Sequence, residues 1–335
     1  MRPPEFFSAG CYGREHRVNL RTFFDLAIQA GREADPRGAA AVEKDLQETQ
    51  RSYDELKPRD RDTFDTERLR NPYADSRILH GDPEAVVRKI MAGIDIEAPE
   101  ILLADRLNEK GASIDLVLGH HPEGRAYANF YDVMRMQADI LNRFGVPINV
   151  AESQLAGRMK EVERSVLPAN HTRPVDAARL LGIPFACLHT PADNMVSRFL
   201  QALFDREQPA RLRDIIDLLR GIPEYQEATR NNVAPRILAG SDDQRTGKVF
   251  VDMTGGTSGS KDTLERLSQS GVGTIVGMHM SEDHRKEAEK HHLHVVIAGH
   301  IASDNLGLNL LLDAVEKREP FEVIECSGFR RVGRS

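Results

Sequence analysis

The sequence contains no tryptophan, and aromatic residues make up only 6% of it. It has three cysteines, Cys11, Cys187 and Cys326, none in a CxxC pair. So sparse and odd a set argues against a disulfide framework or a thiolate zinc site, and makes a reducing cytoplasm the expected compartment. No apolar run approaches the roughly 18 residues that a membrane span needs. The opening stretch MRPPEFFSAGCYGREHR lacks the apolar core of a signal peptide. Basic charge is also short: 45 Lys and Arg against 52 Asp and Glu leave a net charge of -7. Phosphate neutralisation needs clustered cations, so nucleic acid is not an expected partner. There is no GxSxG elbow, and no cysteine has a recognisable histidine partner. GGTSGS (Gly255 to Ser260) is followed by Lys261 and matches neither GK[ST] nor GxGxxG. It reads as a tight strand–helix turn able to approach a ligand.

What is present is alternation. Residues 1–17 read as irregular and 18–75 as a helical extension. In that extension Phe23, Phe24, Ala27 and Ile28 share a helical face, and Ala39 to Lys57 reads as a long charged helix. A first α/β half is expected over 76–207, a connector over 208–247 and a second half over 248–335. DPEAVVRKIMAGI reads as a helix with proline in its first turn. SIDLVLG, PINVA (147–151), PFACLH, KVFVDM, GTIVGMHM, LHVVIAG and PFEVIEC read as strands. Strands alternating with helices imply α/β layering. LNEKGASIDLVLGHH and LSQSGVGTIVGMHM share a helix–Gly–strand–Gly–His order, which suggests two related halves.

Three apolar runs end in histidine: LVLGHHP, FACLHTPAD and VVIAGHIASD. Ligands of α/β proteins bind where strands end. His120, His121, His189, Asp193, His300 and Asp304 therefore form a candidate ligand set for one or two transition-metal ions. Taken singly, each has a plainer reading. HHP can be a polar strand cap, and Asp193 and Asp304 can be first-turn helix charges. Their joint occurrence at three strand ends favours metal. Imidazole plus carboxylate without thiolate suits Zn, Fe, Mn, Co or Ni. His189 can orient a ligand through its ring nitrogen, and His171, His279 and His284 are candidates to line the cavity. His291, His292 and His294 crowd the end of a charged helix and read as solvated.

With these residues in view, the chain resembles the NGG-one-interacting-factor-three-like proteins, also called GTP cyclohydrolase I type 2 homologues. The resemblance runs from about Asp82 to Phe329. GIDIEAPEILLADRLNEKGASIDLVLGHHP is close to the family's N-terminal signature, and HTPAD is similar to its HTNLD element. VFVDMTGGTSGS and GMHMSEDHRKEAEKHHLHVVIAGHIASDNLG resemble its C-terminal half. The resemblance implies two related α/β halves around a dinuclear metal site, here with an N-terminal helical extension. It places the metal ligands on His120, His121, Asp193, His300 and Asp304, and implies toroidal hexamers. Asp304 stands where the family usually has Glu, and Gly277-Met278 where it usually has Gly-Glu.

The expected function is that of a cytoplasmic, metal-dependent hydrolase or cyclohydrolase-like enzyme with two divalent ions and a small-molecule substrate. His189 and His171 are the candidate proton shuttles. The alternatives are a non-catalytic metal-binding, regulatory or scaffold protein and, third, a nucleotide binder that uses GGTSGS. A homo-oligomer is expected, a hexamer first and a dimer second, since the extra N-terminal segment can block a ring contact.

Overall fold

The central strands of this chain are buried on both faces and most of its helices on one, and that difference sets the layering. The structure, a computed structural model, describes residues 18–334. The irregular start expected over 1–17, and Cys11 with it, lie outside the described residues. Helices α1 (Leu20–Glu33), α2 (Ala39–Asp54) and α3 (Pro58–Arg61) come first. Then follow β1 (Arg77–His80), β2 (Lys89–Gly93), α4 (Ala98–Glu109), β3 (Leu116–Gly119), α5 (Gly124–Ala128), α6 (Met136–Arg143), α7 (Ile148–Val166), α8 (Arg173–Leu181), β4 (Phe185–Cys187) and α9 (Thr190–Glu207). The connector holds α10 (Leu212–Arg220), α11 (Pro223–Arg230) and β5 (Arg236–Ala239). The chain ends with β6 (Lys248–Asp252), α12 (Thr263–Gln269), β7 (Val272–Gly277), α13 (Glu282–Lys290), β8 (His294–Ile297), α14 (His300–Glu316) and β9 (Glu322–Glu325).

Two sheets form, in the orders β1-β4-β3-β2-β9 and β5-β8-β7-β6. In each, the first strand is antiparallel to its neighbour and the others are parallel. The same order, β1-β4-β3-β2 against β5-β8-β7-β6, makes the halves topological copies. Both antiparallel edges carry an irregularity at the same place, within RILHG (77–81) and RILAG (236–240). The last strand, β9, crosses back to pair with β2 of the first sheet, so the chain's end closes the half it began.

Residues alternate between sheet faces with period two. Ile90, Ala92, Leu116, Leu118 and Ala186 face the central helices, while Met91, Val117 and Phe185 face α4 and α8. In the second sheet Val251, Val276 and Val296 face inward, and Phe250, Ile275 and Val295 face α6, α7 and α12. Helices α9 and α14 lie between the sheets and contribute to both inner cores, Ala192 and Leu308 to one, Val196 and Leu306 to the other. The connector helix α10 buries Leu212, Ile215, Ile216 and Leu219, a stripe at helical spacing.

Two sequence expectations are corrected. DPEAVVRKIMAGI is not a helix: it is a turn leading into β2. Ile90, Met91 and Ala92 are fully buried between β3 and β9, and a parallel central strand shows a continuous apolar run rather than alternation. PINVA is not a strand but the start of α7. Ala151 and Leu155, four residues apart, bury against the second sheet, and that tertiary contact overrides the β-branched Ile148 and Val150. The charged helix α2 forms as expected, buries only Val42 and Leu46, and lies over the turn near Leu69.

The α9–α14 contact depends on one glycine. A Cβ on Gly307 would come 2.4 Å from the Ala192 carbonyl oxygen and 3.0 Å from its carbon. Gly-to-Ala in a helix interior ordinarily gains about 1 kcal/mol, whereas forced overpacking costs about 1–3 kcal/mol. Because the clash is with backbone, the cost wins. Gly307→Ala is expected to lower the urea midpoint, and Gly307→Val to lower it further. A midpoint at or above wild type would contradict this packing.

Candidate metal centre

The carboxyl ends of the strands from both sheets open onto the first turns of α9 and α14. After β3 the backbone continues its ladder for two residues, with His120 N–H on the Gly93 carbonyl and His121 N–H on Ile94, both at 2.9 Å. Both imidazoles therefore reach one cavity, with ring centroids 5.2 Å apart. His189 caps α9, Asp193 lies in its first turn, and His300 opens α14 with Asp304 one turn on. His120, Asp193 and Asp304 are buried, and His300 is exposed.

Distances centre on Asp304. Its Oδ1 lies 3.5 Å from His120 Nε2, and its Oδ2 lies 3.4 Å from His121 Nε2 and 3.6 Å from His300 Nε2. His120 Nε2 is also 3.5 Å from Asp193 Oδ1. Four of these buried atoms have no hydrogen-bond partner: His120 Nε2, Asp193 Oδ1 and both Asp304 oxygens. Buried polar atoms are rarely left so, and four together fit a cation that takes their lone pairs. Three donor groups, each with atoms within 4.8 Å of one another, can hold an ion: His120/His121/His189, His121/His300/Asp304 and His120/Asp193/Asp304.

The imidazoles are aimed by what their other nitrogens meet. His120 Nδ1 donates to the Leu188 carbonyl at 3.1 Å, His121 Nδ1 to Asp95 at 2.6 Å, and His189 Nδ1 to Asp75 at 2.8 Å. A carbonyl can only accept, so His120 keeps its proton on Nδ1 and turns the Nε2 lone pair inward, the tautomer metal ligands use. Asp75 is wholly buried and also accepts from the Thr190 hydroxyl at 2.6 Å. Asp75 and Asp95 were not singled out from the sequence. Asp75 lies 114 residues from His189 and outside every motif, whereas Asp95 falls within the GIDIEAPE stretch, 26 residues before His121.

Burial opposes ionisation of Asp304, but the charge of His120, with His121 and His300 nearby, holds its carboxyl below the usual range. Asp193 is pushed well above it by burial and by the nearby Asp304 charge. His121, although burial disfavours its charge, is raised to about 9 by Asp304 and Asp95. Burial lowers His300 and His279.

A cleft of about 70 Å³ opens beside the donors and is lined by His189, Asp193 and His300 on one side and Asp252, Thr254 and His279 on another. Gly256, Thr257 and Ser258 of the glycine-rich turn form its wall. That turn is tied down through carbonyls, those of Gly255 and Thr257 accepting from Gln137 Nε2 at 2.7 Å. Asp252 reaches solvent at the cleft mouth, while the protein around it pushes its carboxyl up to about 6. His279 packs edge-on to His300 at 5.0 Å. In the adjoining crevice His284 Nε2 donates to the Gly259 carbonyl at 3.0 Å and its Nδ1 pairs with the Ser281 hydroxyl at 2.8 Å. His171 is placed in the α7–α8 turn with Nδ1 on the Ala169 carbonyl, outside the three donor groups. His291 pairs with Glu287 at the end of α13.

Neither a family model nor a curated protein sequence matches the chain. Among solved structures, a NIF3 superfamily protein from Sphaerobacter thermophilus is 29% identical, with a TM-score of 0.66 over 76% of this chain and 91% of that one. The resemblance to the NIF3-like family is thus supported in both sequence and fold. Reduced HcgD from Methanocaldococcus jannaschii, 14% identical at a TM-score of 0.50, covers 78% of this chain and 93% of its own and shares the fold. A histidine–aspartate cluster able to hold metal thus sits at the strand ends of a NIF3-like fold. No helix of the described residues is long and apolar enough to cross a membrane.

Asp75 gives a pH prediction. Burial opposes its charge, but hydrogen bonding and charge from His189, with Thr190 and Ser76, lower its carboxyl below 3.8. A depressed carboxyl contributes stability that is present above its unfolded value and lost as pH falls through the folded one. In chelator-treated protein, Asp75→Asn is expected to cost about 2 kcal/mol at pH 7, with the gap to wild type narrowing below about pH 4. Urea midpoints across pH 3–7 measure it, and a gap independent of pH would contradict an ionised Asp75.

Proposed function

We propose that this chain is a metal-dependent hydrolase or cyclohydrolase-like enzyme working at a dinuclear centre on a small molecule. The observation that carries the reading is Asp304, buried with both oxygens unpaired and each turned toward a different donor set. Its Oδ1, with His120 Nε2 and Asp193 Oδ1, would hold one divalent ion, and its Oδ2, with His121 and His300, the other. Such ions, when bound, supply Lewis acidity and water activation.

The remaining roles fall to side chains around the cleft. His189 Nε2 lies 3.7 Å from Asp193 Oδ2 with its Nδ1 proton held by Asp75, the arrangement of a base with a fixed tautomer. Asp252 and His279 have no side-chain hydrogen bond among the described residues and face the same cleft as His300. They offer an acceptor and a proton carrier to a substrate. The hydroxyls of Thr254, Thr257 and Ser258 add polar contacts. His171, in the α7–α8 turn, would act only if a neighbouring subunit brought a site to it, which fits a closed symmetric homo-oligomer, hexamer before dimer. The rival reading, a non-catalytic metal-binding, regulatory or scaffold protein, is favoured by the cleft's size, since about 70 Å³ admits little beyond a few atoms without movement.

Elemental analysis of protein purified without chelator is expected to find about two transition-metal ions per chain. His121→Ala and Asp193→Ala are expected to lose metal with helix content intact, because both residues lie outside the apolar strand runs. Asp304→Glu should keep metal and Asp304→Asn hold it more weakly. Full metal in either alanine variant removes that residue from the ligand set. Equal affinity of Asn and Asp reduces Asp304 to a helix-start charge. A hydrolase screen with and without chelator separates the readings: chelator-sensitive turnover, lowered by Asp252→Asn at unchanged metal content, supports the enzyme. Full metal without turnover supports the non-catalytic reading.

A further inference from the structure

A large cavity opens away from the donor cluster. It has a volume of about 820 Å³ and lies between the end of α1, the end of α6, the outer side of α9 and the edge strand β6. The clefts beside the metal donors measure about 70 and 50 Å³. Pockets that enclose a small organic molecule run from about 300 to 1,000 Å³ and are mostly apolar with a few placed polar groups.

Its floor is apolar and aromatic. Ile140, Phe144, Phe204 and Phe250 line it, with the Phe144 and Phe250 rings 4.4 Å apart. Three cations stand around that floor. Lys248 Nζ sits 4.8 Å over the Phe144 ring and 3.5 Å from its carbonyl. Arg198 donates to the Glu33 carbonyl at 2.7 Å, and Arg143 to the Pro36 carbonyl. Among the described residues, none of the three is in an ion pair. Carboxylates also line the cavity, but two of them are neutralised from outside it. Asp35 pairs with the buried Arg37 at 3.0 Å and accepts from Tyr73, and Glu33 faces Arg318 at 4.0 Å. Asp205 accepts the Gln201 amide at 2.9 Å. Three unpaired cations against one unpaired carboxylate leave local positive charge in a chain whose net charge is -7. In a concave, low-dielectric setting that surplus concentrates anions.

A further observation points to a ligand. Ser197, 3% exposed and lining the cavity, has a buried Oγ with no hydrogen-bond partner. A hydroxyl in a helix interior commonly bonds back to its own helix. This one does not, which leaves a donor and an acceptor for an occupant.

We propose that this cavity is a binding site for a small aromatic organic anion, an aryl carboxylate or sulfonate. Its ring would lie on the phenylalanine floor and its anionic group would meet Lys248, Arg143 and Arg198. The site is separate from the metal donors and does not depend on the function assigned to them.

The absence of tryptophan makes a fluorescent probe clean. The full chain, with metal content measured in parallel, is titrated with 1-anilinonaphthalene-8-sulfonate and with N-phenyl-1-naphthylamine, the same rings without the sulfonate. Wild type is expected to show saturable one-to-one binding of the sulfonate, tighter than the neutral amine by about tenfold or more, the size of one charge-assisted contact. Ala202→Trp, which fills the cavity from an exposed helix position, should abolish binding of both. Arg143→Gln/Lys248→Gln should weaken the sulfonate about tenfold and leave the amine unchanged. Metal content should match wild type throughout. No saturable binding by a folded wild-type chain, or binding that survives Ala202→Trp, overturns the site. Equal affinity for sulfonate and amine overturns its preference for an anion.

Discussion

The contact between α9 and α14 is the constraint on which the centre of this protein depends. The two helices cross where Gly307 meets the Ala192 carbonyl, closer than any side chain would allow. That approach lets a single helix layer serve both sheets, since each helix sends apolar residues to either side. It also sets the separation of Asp193 and Asp304, one near the start of each helix. The core and the donor cluster are therefore the same piece of packing, seen at different ends.

Burying Asp304 demands compensation. An isolated ionised carboxylate in a protein interior is unfavourable by many kcal/mol, and here the offset comes from three imidazoles at 3.4–3.6 Å. Two of them are held by acceptors from elsewhere in the chain, His120 by a strand-end carbonyl and His121 by Asp95, and the neighbouring His189 is held by Asp75. The N-terminal segment is part of this support. Asp75 holds His189, while Tyr73 bridges Asp35 and Asn194, and Asn194 in turn accepts from Thr254 at the cleft. The helical extension thus reaches the donor cluster through hydrogen bonds, and the same extension supplies one wall of the large cavity.

The two halves are copies in topology with different endings. The first half ends its central strand in His120 and His121, and the second ends the equivalent β7 in Gly277, Met278 and His279. The groups able to hold a metal ion concentrate on the first sheet and on α9 and α14, while the second sheet contributes the cleft wall through Asp252, Thr254 and His279. The two halves, alike in topology, differ at their strand ends, where side chains can change without disturbing the core, so that one side carries the histidine–aspartate cluster and the other the cleft wall.

Local pattern determined much of this. Apolar runs stopping at histidine mark the strand ends correctly, since a buried strand must end where its neighbours' cover ends. Phe23, Phe24, Ala27 and Ile28 mark the buried face of α1, as helical periodicity requires. Segments whose pattern is ambiguous were decided by their neighbours: Lys89–Gly93 became a strand between β3 and β9, and 148–151 became helix against the second sheet. The RILHG and RILAG repeat was present in the sequence but takes meaning only from the matching edge strands. Tertiary structure alone decided that β9 returns to the first sheet, that adjacent His120 and His121 share a cavity, and that Asp75 and Asp95 aim His189 and His121. The physical reason is range. Periodicity reports which residues are buried within one element, whereas a hydrogen bond across 114 residues exists only once packing has brought its two ends together.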